Sequence, residues 1–125
     1  MTIHLALYMM LLLGKPRYGV ASWYGKKFKG RIMADGKPFK PKKFTAASRT
    51  LPFGTWLKVT NLRNHKTVVV QITDRGPWIP SRVLDLSHGA AMHIGCTGLC
   101  RVKYQIIRRK QYGKNNQNRH SFENR

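Results

Sequence analysis

The sequence predicts a mainly β protein, a single small barrel with a short segment at each end. Two observations carry that expectation. Short apolar runs, several with period-two alternation, are separated by most of the eleven Gly and six Pro residues, the punctuation of an all-β domain. The 125 residues, 42% of them hydrophobic, can bury one real core but are too few for two domains.

The elements follow in order. Residues 18–24 (Tyr-Gly-Val-Ala-Ser-Trp-Tyr) read as a first strand, and 26–43 as a basic loop holding Gly30, Gly36, Pro38 and Pro41. Residues 44–47 suit a short strand, and Leu51-Pro52-Phe53-Gly54 a turn. Residues 56–61 and 67–73 are the clearest strands, joined by the polar turn Leu62-Arg63-Asn64-His65-Lys66. Asp74-Arg75-Gly76-Pro77 then stops the chain abruptly. A short strand at 83–86 leads to Ser87, which suits the cap of a short helix through Ile94, with Gly95 ending it. Residues 102–107 form the last strand. The barrel domain is thus expected over 18–108, with 109–125 a basic, Asn- and Gln-rich disordered tail.

Charge narrows the partners. Lys and Arg number 24 against four acids, Asp35, Asp74, Asp85 and Glu123, a formal +20. Such a surface attracts polyanions: nucleic acid, anionic lipid or the polymers of a cell envelope. Helix-turn-helix, zinc-finger and ribonucleoprotein strings are all missing, so no nucleic-acid partner is expected. The cations crowd the first loops, at Lys26, Lys27, Lys29, Lys37, Lys40, Lys42 and Lys43. They either hold carboxylates of a substrate or simply keep a solvated face.

Residues 1–14 are apolar apart from Thr2 and His4, but the run 5–13 is too short for a bilayer. It is signal-like, without a preceding cation or a following Ala-x-Ala. No Cys lies near it, so neither a lipid anchor there nor a transmembrane anchor is expected. Cys96 and Cys100 flank Thr97-Gly98-Leu99. They suit either a disulfide or two buried thiols, and with His93 they leave a metal site one ligand short.

Five strings occur in a telling order: Gly19-Val20-Ala21-Ser22-Trp23-Tyr24-Gly25, Thr50-Leu51-Pro52-Phe53-Gly54-Thr55, Val59-Thr60-Asn61-Leu62, Asp74-Arg75-Gly76-Pro77 and Leu84-Asp85-Leu86-Ser87. Together they closely resemble the RlpA-like family of double-psi β-barrels, over about three quarters of the chain. The resemblance implies a six-stranded barrel with two crossing psi loops and one or two short helices. It also implies a peptidoglycan lytic transglycosylase, cutting between N-acetylmuramic acid and N-acetylglucosamine without water to leave a 1,6-anhydro end. Peptide-poor glycan strands are then the partner, the periplasm or envelope the place, a monomer the state, and no cofactor or metal is implied. Two positions depart from the family pattern: Ser48 stands where its His is usual, and Lys37 where a Glu is usual. These departures favour an alternative, a non-catalytic, expansin-like module that grips wall glycan.

Asp74 is the leading catalytic candidate. It ends the apolar row Val68, Val70, Ile72 and precedes a forced turn, which puts its carboxyl at a barrel edge. One general acid–base suffices for the implied reaction. The plainer alternative is a turn residue bonded to backbone amides. Asp85 matches a groove Asp of expansin-like relatives, or else braces the helix start. Ser48, without a base beside it, is no nucleophile but suits a hydrogen bond to sugar or Asp74. Tyr24, Trp56 and Trp78 are candidates for stacking on sugar rings, with Arg75 beside them as a binding cation. Trp23, His88 and His93 are expected to pack, and His65 to be solvated in its turn.

Overall fold

The computed structural model describes residues 14–25 and 28–108. The expected signal-like segment up to residue 13, Lys26, Lys27 and the expected tail from 109 lie outside the described residues. Six strands and one helix are present among them: β1 (Arg17–Trp23), β2 (Thr45–Ala47), β3 (Trp56–Asn61), β4 (Thr67–Asp74), β5 (Arg82–Leu86), α1 (His88–His93) and β6 (Cys100–Ile107). The strands close into a barrel in the order β1-β5-β2-β4-β3-β6. The β1/β5 and β2/β4 pairs are parallel, and the other four are antiparallel. Every expected strand is present, each within two residues of its expected ends.

Alternation builds the core. Leu57 and Val59 of β3, Val70 and Ile72 of β4, Leu84 and Leu86 of β5 and Val102 of β6 are fully buried, with Val68 nearly so. The residues between them, such as Lys58 and Val69, face outward. Helix α1 closes one side, contributing Ala90 and Ala91 to this core. Its cap is Ser87, whose Oγ accepts from Ala90 N–H as expected, and which also donates to Lys43 O and accepts from Thr45 N–H. The cap therefore fixes the helix to the entry of β2. Gly89 permits this approach, because a Cβ there would stand 2.7 Å from Lys42 O. At the other end of α1, the amides of Asn61 and Asn64 both donate to Ile94 O, tying it to the β3–β4 turn.

Cys96 and Cys100 form a disulfide with Cα atoms 5.8 Å apart. That decides between the two states the sequence left open. The bridge closes the loop from α1 into β6.

Registers differ around the barrel. The β3/β4 and β3/β6 ladders run unbroken, from Trp56↔Gln71 to Thr60↔Thr67 and from Trp56↔Ile107 to Asn61↔Val102. In the β2/β4 pair, Ala46 faces Ile72 but Ala47 faces Asp74, leaving Thr73 as an extra residue. In the β1/β5 pair, Val20 faces Arg82 but Ala21 faces Leu84. An extra residue of this kind re-aims every side chain after it.

Candidate active site

The slip at Thr73 places Asp74 in the same transverse row as Asp85. Asp85 pairs with Ser22 of β1 on one side and with Ala47 of β2 on the other, and Ala47 pairs with Asp74 of β4. The row reads Ser22, Asp85, Ala47, Asp74 across four strands. Only a buried alanine lies between the two acids. Neighbouring strands are about 4.8 Å apart, so the two acidic positions are about 10 Å apart at the backbone.

The loop between β1 and β2 folds over this row. Its own backbone pairs hold it as a narrow flap, with Ile32 bridging Pro38 and Met33 N–H donating to Lys37 O. The flap is pinned to the end of β4: Asp35 N–H donates to Thr73 O, and Thr73 Oγ1 donates to Met33 Sδ at 3.3 Å. A groove of about 630 Å³ remains, lined by Tyr24, Phe28, Phe39, Trp78 and both acids among others.

Asp74 is half-buried and held by three donors. Ala34 N–H (2.9 Å) and Arg75 N–H (2.8 Å) reach Oδ1, and the Tyr24 hydroxyl (3.0 Å) reaches Oδ2. A carboxylate has about four acceptor positions. The described residues fill three of them, leaving one on Oδ2. The backbone bonds resemble those of a turn residue, but the Tyr24 bond, formed across 50 residues of chain, does not. Burial pushes the Tyr24 phenol well above its ordinary range, helped by the charges of Asp74 and Asp85. Tyr24 is thus a fixed donor that does not lose its proton at physiological pH.

Asp85 accepts from Ser22 Oγ at 3.1 Å. Burial raises its carboxyl above the ordinary carboxylate range, and the nearby Asp74 adds to this, while the Ser22 bond and Arg82 oppose it. Asp85 therefore keeps a proton more readily than an exposed carboxyl does.

The structure distributes the other expected site residues unevenly. Trp78 is 75% exposed at the groove rim, where its ring is available for stacking. Tyr24 lines the groove, but its ring packs edge-on against Phe28 and Phe39, so its contribution is the hydroxyl. The Arg75 guanidinium is turned toward the 48–53 turn: it lies 3.9 Å from the Phe53 ring centre and donates to Ser48 O and Leu51 O. Ser48 is 4% exposed, and its Oγ accepts from Thr50 N–H and Leu51 N–H. That hydroxyl shapes the turn and is bonded to neither carboxylate. Trp56 lies outside the groove, on the outer wall of β3. Trp23 and Phe44 pack against His88 and His93.

Sequence reasoning missed two supports. Arg49 donates from one guanidinium nitrogen to Pro77 O (2.7 Å), Ile79 O (3.4 Å) and Arg82 O (2.7 Å), bracing the loop that carries Trp78. Its only signal was a cation beside a turn. Ser22, buried and bonded to Asp85, was visible only as a polar residue in an apolar strand.

Fold and site together define a double-psi β-barrel domain with two acids in a groove under a flap. The chain belongs to the lytic transglycolase family, whose model matches residues 17–106. Among its relatives, a probable endolytic peptidoglycan transglycosylase RlpA of Synechocystis is 55% identical over 91 residues, which is 71% of this chain and 28% of that protein. The endolytic peptidoglycan transglycosylase RlpA of Pasteurella multocida is 43% identical over 103 residues, 81% of this chain and 35% of that protein. The chain thus spans about a third of the length of the curated relatives it matches. A Streptomyces papain inhibitor shares the fold with a TM-score of 0.62 at 21% identity, over 77% of this chain and 97% of that one. An expansin of Clavibacter michiganensis does so at 0.60 and 24%, over 75% of this chain and 51% of that one.

Proposed function

We propose that this domain is an endolytic peptidoglycan lytic transglycosylase, acting as an exported monomer in the periplasm or cell envelope on peptide-poor glycan strands. The observation that carries this reading is the pair of acids in one row under the flap, with one acceptor position of Asp74 unfilled among the described residues. The names of its relatives and the excess of cations, which suits an acidic wall polymer, agree with it.

Asp74 acts as general acid and then as general base. Its proton passes to the glycosidic oxygen as the bond from muramic acid C1 to that oxygen breaks. The muramic 6-hydroxyl oxygen bonds to C1, and its proton returns to Asp74. No water is consumed, and the carboxyl ends as it began. Tyr24 orients Oδ2, while Asp85, its carboxyl raised by burial, is the supporting acid in the same row. Trp78 and the groove's other apolar residues receive sugar rings.

Digestion of peptide-free glycan strands followed by mass analysis tests this. Products with 1,6-anhydro-muramic ends are expected. Strands that bind but stay uncut would replace the enzyme with the expansin-like wall-binding module. Ser48 favours that alternative, since the family's His place here holds a turn-capping hydroxyl. For export, protein from envelope fractions should begin at residues 15–18; recovery of intact Met1 from the cytoplasm alone would reject it.

A further inference from the structure

The outer wall of the barrel carries a second aromatic and cationic surface. Leu57 and Val70 point inward, so Trp56 and Gln71 face outward, and they are register partners. Thr45 pairs with Gln71 from the opposite side. Thr45, Gln71 and Trp56 therefore lie in one row on the outer side of three adjacent strands, with Thr45 itself largely covered. With Phe44 and Val69 they form a depression of about 380 Å³, whose lining includes Lys42 and Lys43. Beside it lies a cleft of about 180 Å³, lined in part by Lys37, Lys40 and Lys43.

The two outer depressions are contiguous, and the smaller of them meets the Asp74 groove at the buried Met33 side chain. Lys43, Thr45 and Gln71 line both outer ones, and Met33 lines both the smaller cleft and the Asp74 groove. Neither outer depression is lined by any of the described acids, Asp35, Asp74 and Asp85. A flat indole, an amide and a row of ammonium groups suit an acidic polysaccharide: ring faces for the indole, hydroxyls for Gln71, carboxylates for the lysines.

We propose that the Thr45–Gln71–Trp56 row, with Phe44, Lys42 and Lys43, is a second saccharide-binding surface that takes the continuation of the same acidic glycan strand whose reacting bond lies at Asp74. This rests on the glycan-cutting reading for its choice of occupant. Gln71 precedes Asp74 by three residues, about 10 Å along a strand at about 3.3 Å per residue. A strand several sugars long reaches both places, whereas a single disaccharide does not. Occupying one place raises the effective concentration at the other, so the surface makes long strands better ligands than short ones.

The test compares the full chain, Trp56→Ala and the double variant Lys42→Glu/Lys43→Glu. A single peptide-free disaccharide as the short glycan, long peptide-free strands and long uncharged chitin strands are the probes. Trp56→Ala should weaken binding of long strands about tenfold and hardly change binding of the short glycan. The double variant, which alters only exposed side chains, should weaken long acidic strands and spare chitin. That loss should shrink as salt rises, because exposed charges are screened over about 8 Å at physiological ionic strength. Equal losses on short and long glycan, or none with either variant, would overturn the proposal. So would charge reversal that weakens chitin as much as acidic strands. If the parent cuts glycan but neither variant changes length preference, this surface falls and the enzyme stands. If the parent cuts nothing yet binds long strands through Trp56, the surface stands as part of a binding module.

Discussion

The two halves of the barrel are built differently. Between β3 and its neighbours β4 and β6 the ladders are antiparallel and unbroken, and the inward row Leu57, Val59, Val70 packs without exception. Where β1 meets β5, and where β2 meets the end of β4, the parallel pairings each slip by a residue, and the slips bring Asp74 and Asp85 into one row. The regular half supplies the core. The irregular half supplies the chemistry, because a strand that alternates without interruption sends its Asp either into the core or out to bulk solvent. An extra residue aims it into a covered groove.

The largest effect is expected where the irregular half is changed at its acid. Asp74→Asn keeps the size, and its carbonyl can still accept from Ala34 and Arg75 while its amide nitrogen donates to the Tyr24 oxygen in a reversed bond, so the melting temperature should shift little. It cannot carry the proton, so the rate of anhydro-product formation should fall by about 10² to 10⁴. A variant that cuts as fast as the parent would return Asp74 to the role of a turn residue.

The regular half should answer in the opposite way. Leu57→Ala opens a cavity at a fully buried position. It should cost about 2–5 kcal/mol in denaturant unfolding while the folded fraction still cuts at close to the parent rate. Arg49→Ala lies between the halves. It removes one charged donor from three loop carbonyls. The stability loss should be about 1–3 kcal/mol, with a larger effect on KM than on kcat, because the loop positions Trp78 rather than the acids. A fall in kcat alone would place Arg49 closer to the chemistry.

The same contrast explains what could be read from the sequence. Strand β3 was legible to the residue, since Leu57 and Val59 alternate with Trp56 and Lys58 between turns. Helix α1 was legible from Ser87 and Gly95. The position of Trp56 outside the groove was also present as a signal: it shares parity with Lys58, not with the core row. The row of four was not legible, because register between parallel strands is set by packing between segments far apart in the chain. The slip at Thr73 has no marker of its own. Alternation alone carried Asp74 to the end of an inward row, whereas the slip sets it beside Ala47. Turning Ser48 and Arg75 toward the 48–53 turn likewise depends on backbone carbonyls and amides that no residue pattern announces.

The smallest effect is expected at Asp85, and its sign separates the two acids. Burial raises this carboxyl above its ordinary value, so between that value and the raised one the folded chain binds more protons than the unfolded chain. Stability from this group is therefore fully present below the unfolded pKa and is lost as pH rises through the folded one. Asp85→Asn still accepts from Ser22 and has no charge to bury. Compared with the parent, it should gain stability as pH rises through that window and keep the gain at neutral pH. The carboxyl also faces the groove, and solvent there screens it, so the gain should be a fraction of a kcal/mol. Subtracting the two stability curves from acid to neutral pH isolates what the Asp85 carboxyl contributes. A flat difference would mean that burial does not hold Asp85 in its protonated form. Cutting should slow in the variant by about tenfold or less, because Asp85 supports the proton that Asp74 transfers. A loss as large as that of Asp74→Asn would make Asp85 the proton donor, with Asp74, fixed by its three donors, orienting the sugar instead.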